Sequence, residues 1–338
     1  MLELLRPVLS PTLPQLRRLA LAGIVADVVI MSTGAAVRLS ASGLGCPDWP
    51  RCSKADVVAS HNAGQTLLNT WIEFGNRLLN FPLVAIAALI FIAAVRYRPA
   101  GAPGGPGGMA SPQTGGHRGV GPRGLVLLAA IQPLGVIAQA VVGGIVVITK
   151  LNPAMVSVHF LLSIGIVAAA VLLYARCTVF EEPPVRGDLR ILSALLVAVT
   201  GAMVAAGTVV TGTGPLAGHA DTPRYHLPLA GVTQLHADIG WLMSGLSVAL
   251  LIGVRLSHAG PRARRASWWV VGGLFVQGTL GYVQYFNHLP AGLVWVHVTT
   301  AVMLWVAVLW LFFTLSSGIR LDTGQVAVPQ REPEPADR

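Results

Sequence analysis

The chain is poor in charged residues and in cysteine. Only 11% of its 338 residues are charged and 54% are hydrophobic, whereas a soluble domain carries about 25% charged residues. The scarcity of charge excludes an ordinary cytosolic enzyme and a disordered tail protein. Three cysteines are too few for a disulfide-rich secreted module. An integral membrane protein remains.

Eight apolar runs, each about as long as a transmembrane helix, account for the high hydrophobicity. They cover residues 19–38, 73–95, 124–149, 154–175, 191–212, 229–254, 267–286 and 290–315. We therefore expect an all-α integral membrane protein with eight transmembrane helices. The first run carries Asp27 and is longer than the apolar core of a cleaved signal peptide, so we expect it to stay as a span.

Basic residues lie between the apolar runs rather than on one element, so the net charge of +9 does not indicate nucleic-acid binding. With the N-terminus placed inside, 17 of the 23 Lys and Arg residues fall in inner segments and five in outer ones. This bias predicts a cell-membrane protein whose two termini, residues 1–18 and 317–338, are cytoplasmic. We expect the Pro/Gly-rich inner loop 99–122 to be flexible and the C-terminal tail to be disordered.

An internal repeat becomes visible when the chain is displaced by 138 residues, so that 131–159 lies over 269–297. Seven of the 29 positions then match, and the polar and glycine matches weigh most: Gly135 with Gly273, Gln139 with Gln277, Gly143 with Gly281 and His159 with His297. A weaker match joins 33–43 and 206–215. We expect two pseudo-symmetric four-helix bundles, residues 19–178 and 189–316, inserted in the same orientation.

Three histidines, His159, His236 and His297, lie six or seven residues into spans that enter from the outer side. Polar groups at such depth usually face the bundle interior or a cavity. Imidazoles on facing helices can ligate haem iron; the alternative is that each histidine makes a hydrogen bond between helices. A closed zinc site is disfavoured, because no Cys, Asp or Glu is close enough in sequence to complete it.

Other polar residues in the spans leave two interpretations open. Glu73 and Arg77 share a helix face and can pair, either as an anchor at the membrane surface or as a carboxylate beside a reactive cofactor. Gln139 and Gln277 could bond a porphyrin or imidazole, or join two helices. For Asp27 we expect a buried carboxylate bonded to a neighbouring hydroxyl. Asp238 lies about 200° round the helix from His236, so we expect it to lie off the ligand face.

The outer loop 43–52 contains Cys46 and Cys52 on the oxidising side of the membrane. A structural disulfide is the expected state, and a catalytic dithiol or two free thiols are the alternatives. Cys177, at the inner end of the fourth span, is expected to be inert. By charge alone, three arginines are candidate partners for haem propionates: Arg38, Arg77 and Arg224. Four histidines in outer loops are expected to be solvated: His61, His219, His226 and His288.

Five stretches together resemble the haem A synthases of the bacterial, CtaA type. The resemblance covers about residues 19–315 and is carried by TGAAVRLSASGLGCPDWPRC (33–52), the Glu-Phe-x-x-Arg pattern (73–77), NPAMVSVHF (152–160), QLHADIGW (234–241) and VWVHVTT (294–300). The resemblance implies an enzyme that oxidises a ring methyl of haem O to a formyl group by successive hydroxylations. The product, haem A, serves terminal oxidase assembly.

The resemblance also implies roles for individual residues. A haem b cofactor would lie between His236 and His297, and the substrate haem O would be bound by His159 beside Asn76 and Arg77. Glu73 matches the glutamate needed for activity, and the outer pair Cys46 and Cys52 would be redox-active or structural. Implied partners are haem O, haem O synthase as its supplier, a membrane electron donor (quinol or ferredoxin-like), and further copies of the chain.

Two departures from the family pattern bear on mechanism. Asn76 stands where the family usually has a histidine, so the first haem would have one protein ligand, His159, unless His61 substitutes for the second. Residues 212–228 lack the second cysteine pair of some members. The alternative function is a di-haem b-type carrier between quinol and an outer acceptor; Glu73 and Asn76 favour the enzyme. A transporter would need paired Gly/Pro-broken spans, which are missing.

Overall fold

The computed structural model describes residues 10–54, 56–59, 66–98, 122–178 and 185–316, and within these ranges all regular structure is helical. The nine helices, of which α2 and α3 join at Leu79 into one long segment, are α1 (Leu13–Leu39), α2 (Leu67–Leu78), α3 (Asn80–Arg96), α4 (Pro122–Ile148), α5 (Pro153–Arg176), α6 (Gly187–Thr213), α7 (Leu229–Leu256), α8 (Pro261–Phe286) and α9 (Ala291–Ser316). Each predicted apolar run therefore has its helix. Residues 1–9, His61, residues 99–121 of the inner loop and the C-terminal tail 317–338 lie outside the described residues.

Capping residues explain why several helices begin before their apolar runs. The backbone N–H of Thr12 donates to Oε1 of Gln15 at 2.8 Å, the side chain of Thr66 accepts from Asn69 N at 3.2 Å, and Pro261 opens α8. Side-chain acceptors and an initial proline satisfy or remove the free N–H groups of a first turn. α1, α2 and α8 consequently start about two turns ahead of the positions that hydropathy alone predicts.

Seven helical segments are long and apolar enough to cross a membrane, with Leu67–Arg96 counted as one of them. α8, with 26 residues, is long enough but not among the seven. Its first turns carry Arg262, Arg264 and Arg265, and Gln277 and Gln284 interrupt its apolar stretch. A multi-pass, all-α membrane protein is therefore confirmed, and the eighth span stays a prediction.

The helices contact one another in two closed sets. In the first set, α1 contacts α3 and α5, and α4 also contacts both α3 and α5. In the second set, α6 and α8 each contact both α7 and α9. The sets meet where α9 packs on α1 and α5, and where α5 packs on α6. Hydrogen bonds cross this contact between Ser32 and Thr299 (2.8 Å) and from Trp305 Nε1 to the carbonyl of Ile164 (3.1 Å).

An apolar core fills the same end of each set. In the first set it joins the starts of α1 and α4 to the ends of α3 and α5, through Leu16, Ala20, Ile90, Ala129 and Leu173. In the second it joins the starts of α6 and α8 to the ends of α7 and α9, through Leu196, Leu250, Val270 and Leu311. The three histidines lie near the starts of α5, α7 and α9, so they occupy the opposite end of the sets.

The internal repeat extends to the backbone of two hairpins. Lys150 and Leu151, between α4 and α5, have φ values of 52° and 59°, and His288 and Leu289, between α8 and α9, have 60° and 59°. Leu151 N donates to the carbonyl of Val146 at 2.8 Å, and Leu289 N donates to that of Gln284 at 2.8 Å. The two hairpins therefore turn the chain in the same way and present His159 and His297 alike.

The outer loop 43–52 packs closely on α4 at Gly144. A methyl group on Gly144 would lie 2.6 Å from Cδ2 of Trp49, whereas one on Gly165 of α5 would meet nothing within 4 Å. We expect Gly144→Ala to lower the free energy of unfolding by about 1–3 kcal/mol, because an overpacked contact forces its neighbours to shift. Thermal denaturation in detergent measures this loss. Gly165→Ala is the matched control; an equal loss there would refute the packing explanation.

Candidate functional site

Each of the three histidines in the spans lies against a glycine of a neighbouring helix. A methyl group on Gly143 (α4) would lie 3.2 Å from Cε1 of His159 (α5). The corresponding distances are 3.1 Å from Gly207 (α6) to His236 (α7), and 3.5 Å from Gly281 (α8) to His297 (α9). Because glycine has no side chain, each half-buried imidazole fits between two backbones. The sequence marked these glycines only as members of the internal repeat and of the weaker match.

The imidazoles make none of the interhelical hydrogen bonds that the sequence left as an alternative. Nδ1 of His159, His236 and His297 is buried, and among the described residues none of these three atoms has a hydrogen-bond partner. The backbone carbonyls of Met203 and Gln277 lie beside the His236 and His297 rings, outside hydrogen-bond geometry. A histidine that ligates a metal usually donates its other N–H to such a carbonyl, so a carbonyl beside the ring is compatible with metal ligation by His236 and His297.

His236 and His297 are close enough to interact electrostatically. They lie on α7 and α9, which are both in contact with α6 and α8, and both are near the outer start of their helices. No three His, Cys, Asp or Glu residues converge as metal ligands in the described ranges. Two facing imidazoles suffice for haem, because the porphyrin supplies the other four ligands.

The two glutamines of the repeat hold the histidine-bearing helices in place. Gln139 Nε2 donates to the carbonyl of His159 at 3.1 Å, and Gln277 Nε2 donates to that of His297 at 3.1 Å. Oε1 of Gln277 also accepts from Thr300 Oγ1 at 2.7 Å. Of the two interpretations open from the sequence, the structure therefore shows the one in which glutamine joins two helices.

A fourth pair, Gly34 of α1 and Asn76 of α2, completes the pattern. A methyl group on Gly34 would lie 4.0 Å from Nδ2 of Asn76, and the buried Oδ1 of Asn76 has no partner among the described residues. Gly34, Gly143 and Gly281 each lie five residues before the end of their helix, and Gly207 lies six before. The four pairs thus share one end of the molecule, and asparagine takes the place of histidine in one of them.

Glu73 and Arg77 pair as their spacing predicts and clamp the outer loop. Arg77 Nη2 donates to Glu73 Oε1 at 2.6 Å, and the N–H of Cys46 donates to Glu73 Oε2 at 2.7 Å. Arg77 also donates to the carbonyls of Cys46 (2.8 Å), Asp48 (3.1 Å) and Arg51 (3.1 Å). Glu73 is only 6% exposed. The sequence predicted the pair but did not show that it anchors the loop.

The outer cysteines form the disulfide Cys46–Cys52, and both sulfurs are buried in the loop that Arg77 holds. The structure thus contains the disulfide state among those left open from the sequence. Cys177 is free and buried, and burial raises the pKa of its thiol to about 12. A thiol with so high a pKa forms little thiolate near neutral pH, which agrees with the expected inertness.

Of the three arginines proposed as propionate partners, Arg38 is the one left available. Arg77 is occupied by the loop, and Arg224 donates to the carbonyl of Gly214. Half-buried Arg38 lies four residues after Gly34, hence on the same face of α1. Its guanidinium makes no hydrogen bond or ion pair with any residue the structure describes, although its backbone carbonyl accepts from Ala41 N. Its guanidinium is therefore available to bind an anion at the end of α1 that carries Gly34.

The two aspartates differ from each other. Asp27 is buried as expected, at 5% exposure. Its hydrogen-bond partner is the amide of Gln132 on α4, so the predicted hydroxyl partner is wrong. Asp238 is exposed and accepts from Gln234 Nε2 at 2.7 Å, off the ligand face as predicted. His226 and His288 are exposed, and His219 lies 3.8 Å from Asp221.

Comparison with known proteins gives two similarities. A model of the family COX15-CtaA, described as "Cytochrome oxidase assembly protein", matches residues 17–309. A curated protein named "Heme A synthase" from Lysinibacillus sphaericus (strain C3-41) is 27% identical over 172 residues. That alignment covers 50% of this chain and 48% of the relative, so the match spans about half the length of the relative.

The disulfide loop provides a test of the clamp. We expect the double variant Cys46→Ser, Cys52→Ser to lose about 2 kcal/mol of unfolding free energy, because opening a short covalent loop restores entropy to the unfolded chain. Thermal denaturation with and without reductant measures the loss. Reductant should destabilise the wild type to the same extent and leave the double variant unchanged; a further loss in the variant would contradict the assignment.

Proposed function

Since the chain belongs to the COX15-CtaA family of cytochrome oxidase assembly proteins, we propose that it is a haem A synthase of the cell membrane. The proposed reaction converts a ring methyl of haem O to a formyl group, for use in terminal oxidases. The observation that carries the proposal is the set of four glycine pairs at one end of the helices, three with histidine and one with Asn76. The relative's name, "Heme A synthase", supports it.

The proposed architecture is two pseudo-symmetric four-helix bundles, residues 19–178 and 189–316, with α8 as the eighth span. The two closed contact sets and the repeated hairpins support it. Both termini are placed in the cytoplasm, because 17 of the 23 basic residues then lie inside. The histidine end consequently faces outward, on the side of the disulfide loop.

The second bundle is proposed to hold haem b between His236 and His297. The fit rests on three features: facing imidazoles, buried Nδ1 atoms beside backbone carbonyls, and glycines that let each ring stand between helices. A haem bound there would supply one-electron transfer. Gln277 joins α8 to α9 at the level of His297, so the protein would contribute the orientation of the haem ligands.

The first bundle is proposed to bind the substrate, haem O. His159 would ligate its iron, and Arg38 would bind a propionate as a charge-assisted partner. The ring methyl would be hydroxylated twice. In each step dioxygen, the proposed oxidant, would place one oxygen atom in a C–H bond, while two electrons from a membrane quinol or a ferredoxin-like protein and two protons would reduce the other oxygen atom to water. Loss of water from the resulting diol would leave the formyl group. A haem O synthase is the proposed supplier of the substrate.

Glu73 is proposed to handle protons at the reacting edge of the substrate. It lies on α2 three residues before Asn76, so the two side chains share a helix face. The hydrogen bonds from Arg77 and Cys46 fix the carboxylate against that face, and its burial keeps bulk water away. The outer loop, closed by Cys46–Cys52, thereby positions the proposed proton carrier.

The direct test is extraction of haem from the detergent-purified protein, with haems b, O and A separated by mass. We expect haem b together with haem O, haem A or a hydroxylated intermediate. His297→Leu should lose haem b, and His159→Leu should lose the substrate-type haems while keeping haem b. Two haem b per chain would instead support a di-haem electron carrier, and a protein that takes up no haem would refute both functions.

A second test concerns Glu73. We expect Glu73→Gln to lower haem A formation on the order of a hundredfold, the size of a general acid–base contribution, while haem b content and the disulfide stay unchanged. Asp238→Asn, which neutralises an exposed carboxylate close to His236, is the matched control and should keep full activity. Unchanged haem A formation in Glu73→Gln would remove the proton role.

A further inference from the structure

We propose that the iron of the haem bound in the first bundle has one protein ligand, His159, and an open position facing Asn76, whose amide hydrogen-bonds a small exogenous ligand there. The inference rests on the proposed function and concerns the same site. It is drawn from the way Asn76 takes the fourth place in a set otherwise filled by histidine.

The position of Asn76 matches that of His236. In both pairs the glycine belongs to the first helix of its set, Gly34 on α1 and Gly207 on α6, and the polar residue belongs to the next segment, α2 or α7. The two glycines are also aligned in the weak sequence match of 33–43 with 206–215. Asn76 therefore occupies the position in the first set, relative to His159, that His236 occupies in the second set relative to His297.

Asparagine cannot do what histidine does at this place. A neutral amide is a poor ligand for haem iron, which proteins hold through His, Cys, Met or Tyr. The side chain is also shorter than histidine, and a methyl group on Gly34 would lie 4.0 Å from Nδ2, compared with 3.1 Å for Gly207 and Cε1 of His236. The Asn76 side of the first bundle consequently offers more room than the corresponding side of the second.

The amide of Asn76 is available to a bound molecule. Its Oδ1 is buried without a partner among the described residues, and a buried polar atom left without a hydrogen bond costs free energy. An amide both donates and accepts, so it suits a small ligand such as water or a diatomic gas. The clamp of Arg77 on the outer loop fixes the turn of α2 that carries Asn76.

The test uses the full chain, purified in detergent and reconstituted with haemin, with carbon monoxide as the probe. In the wild type we expect a mixture of high-spin and low-spin ferric haem, with carbon monoxide binding only one of the two haems after reduction. Asn76→His should convert the high-spin haem to low-spin and abolish carbon monoxide binding. The reciprocal His236→Asn should open the second haem, so that both bind carbon monoxide.

Two further variants separate ligation from hydrogen bonding. Asn76→Leu should still bind carbon monoxide, but the C–O stretching frequency should rise because the N–H dipole is lost. Asn287→His, which places a histidine at an exposed asparagine on the same side of the molecule, is the matched control and should leave spin state and carbon monoxide binding unchanged.

The outcomes distinguish the inference from the proposed function. Two haems bound in the wild type, both low-spin and unreactive to carbon monoxide, would overturn the open position while leaving a haem protein. A C–O frequency unchanged in Asn76→Leu would overturn the hydrogen bond. Failure to bind any haem would overturn the proposed function and the inference with it. The spin state and the carbon monoxide binding of the wild type are measured without any variant, so this outcome does not depend on whether a variant folds.

Discussion

The close approach of a glycine to a polar side chain on the neighbouring helix is the contact on which the site depends. Glycine has no Cβ, so the backbones of α4 and α5, α6 and α7, and α8 and α9 can come near enough to hold an imidazole between them. A methyl group at Gly143 or Gly207 would lie 3.2 or 3.1 Å from the imidazole and would displace the ring slightly, whereas at Gly281 it would lie 3.5 Å away, in ordinary contact. The glycine allows the imidazole to lie close to the neighbouring backbone. In the α4–α5 and α8–α9 pairs, a glutamine that donates to the histidine carbonyl fixes how the two helices are aligned along their axes.

The remaining architecture separates stability from chemistry. Apolar clusters fill the end of each set away from the histidines, and a third cluster joins the sets through Met31, Val167 and Trp305. The close-packed apolar contacts are thus concentrated away from the three histidines. The opposite end carries half-buried histidines, Asn76 and Arg38, and there the Cys46–Cys52 loop and the Glu73–Arg77 pair supply the rigidity that a close-packed core supplies elsewhere.

Much of this could be predicted from the order of residues. Hydropathy predicted the positions of all eight helical segments and the depth of the three histidines. Spacing predicted the Glu73–Arg77 pair, and the oxidising side of the membrane made a disulfide between Cys46 and Cys52 the expected state. Hydropathy did not predict the exact starts of α1, α2 and α8, because caps at Thr12 and Thr66 and the proline at 261 extend these helices beyond their apolar runs. The partner of Asp27 was also wrong, since spacing on one helix says nothing about which side chain faces it from another.

Hydropathy and residue type thus determined the class of the protein, because a chain in lipid must satisfy its backbone hydrogen bonds within helices, and the repeat of Gly, Gln and His already marked its chemistry. The tertiary structure alone decided which residues meet. It brings each histidine against its glycine and Asn76 against Gly34. It also places Arg77 in contact with the outer loop while the guanidinium of Arg38 stays available, and it directs Gln139 and Gln277 into hydrogen bonds between helices. These contacts join residues that are far apart along the chain, and the packing angle and register of two helices, which no local pattern encodes, bring them together.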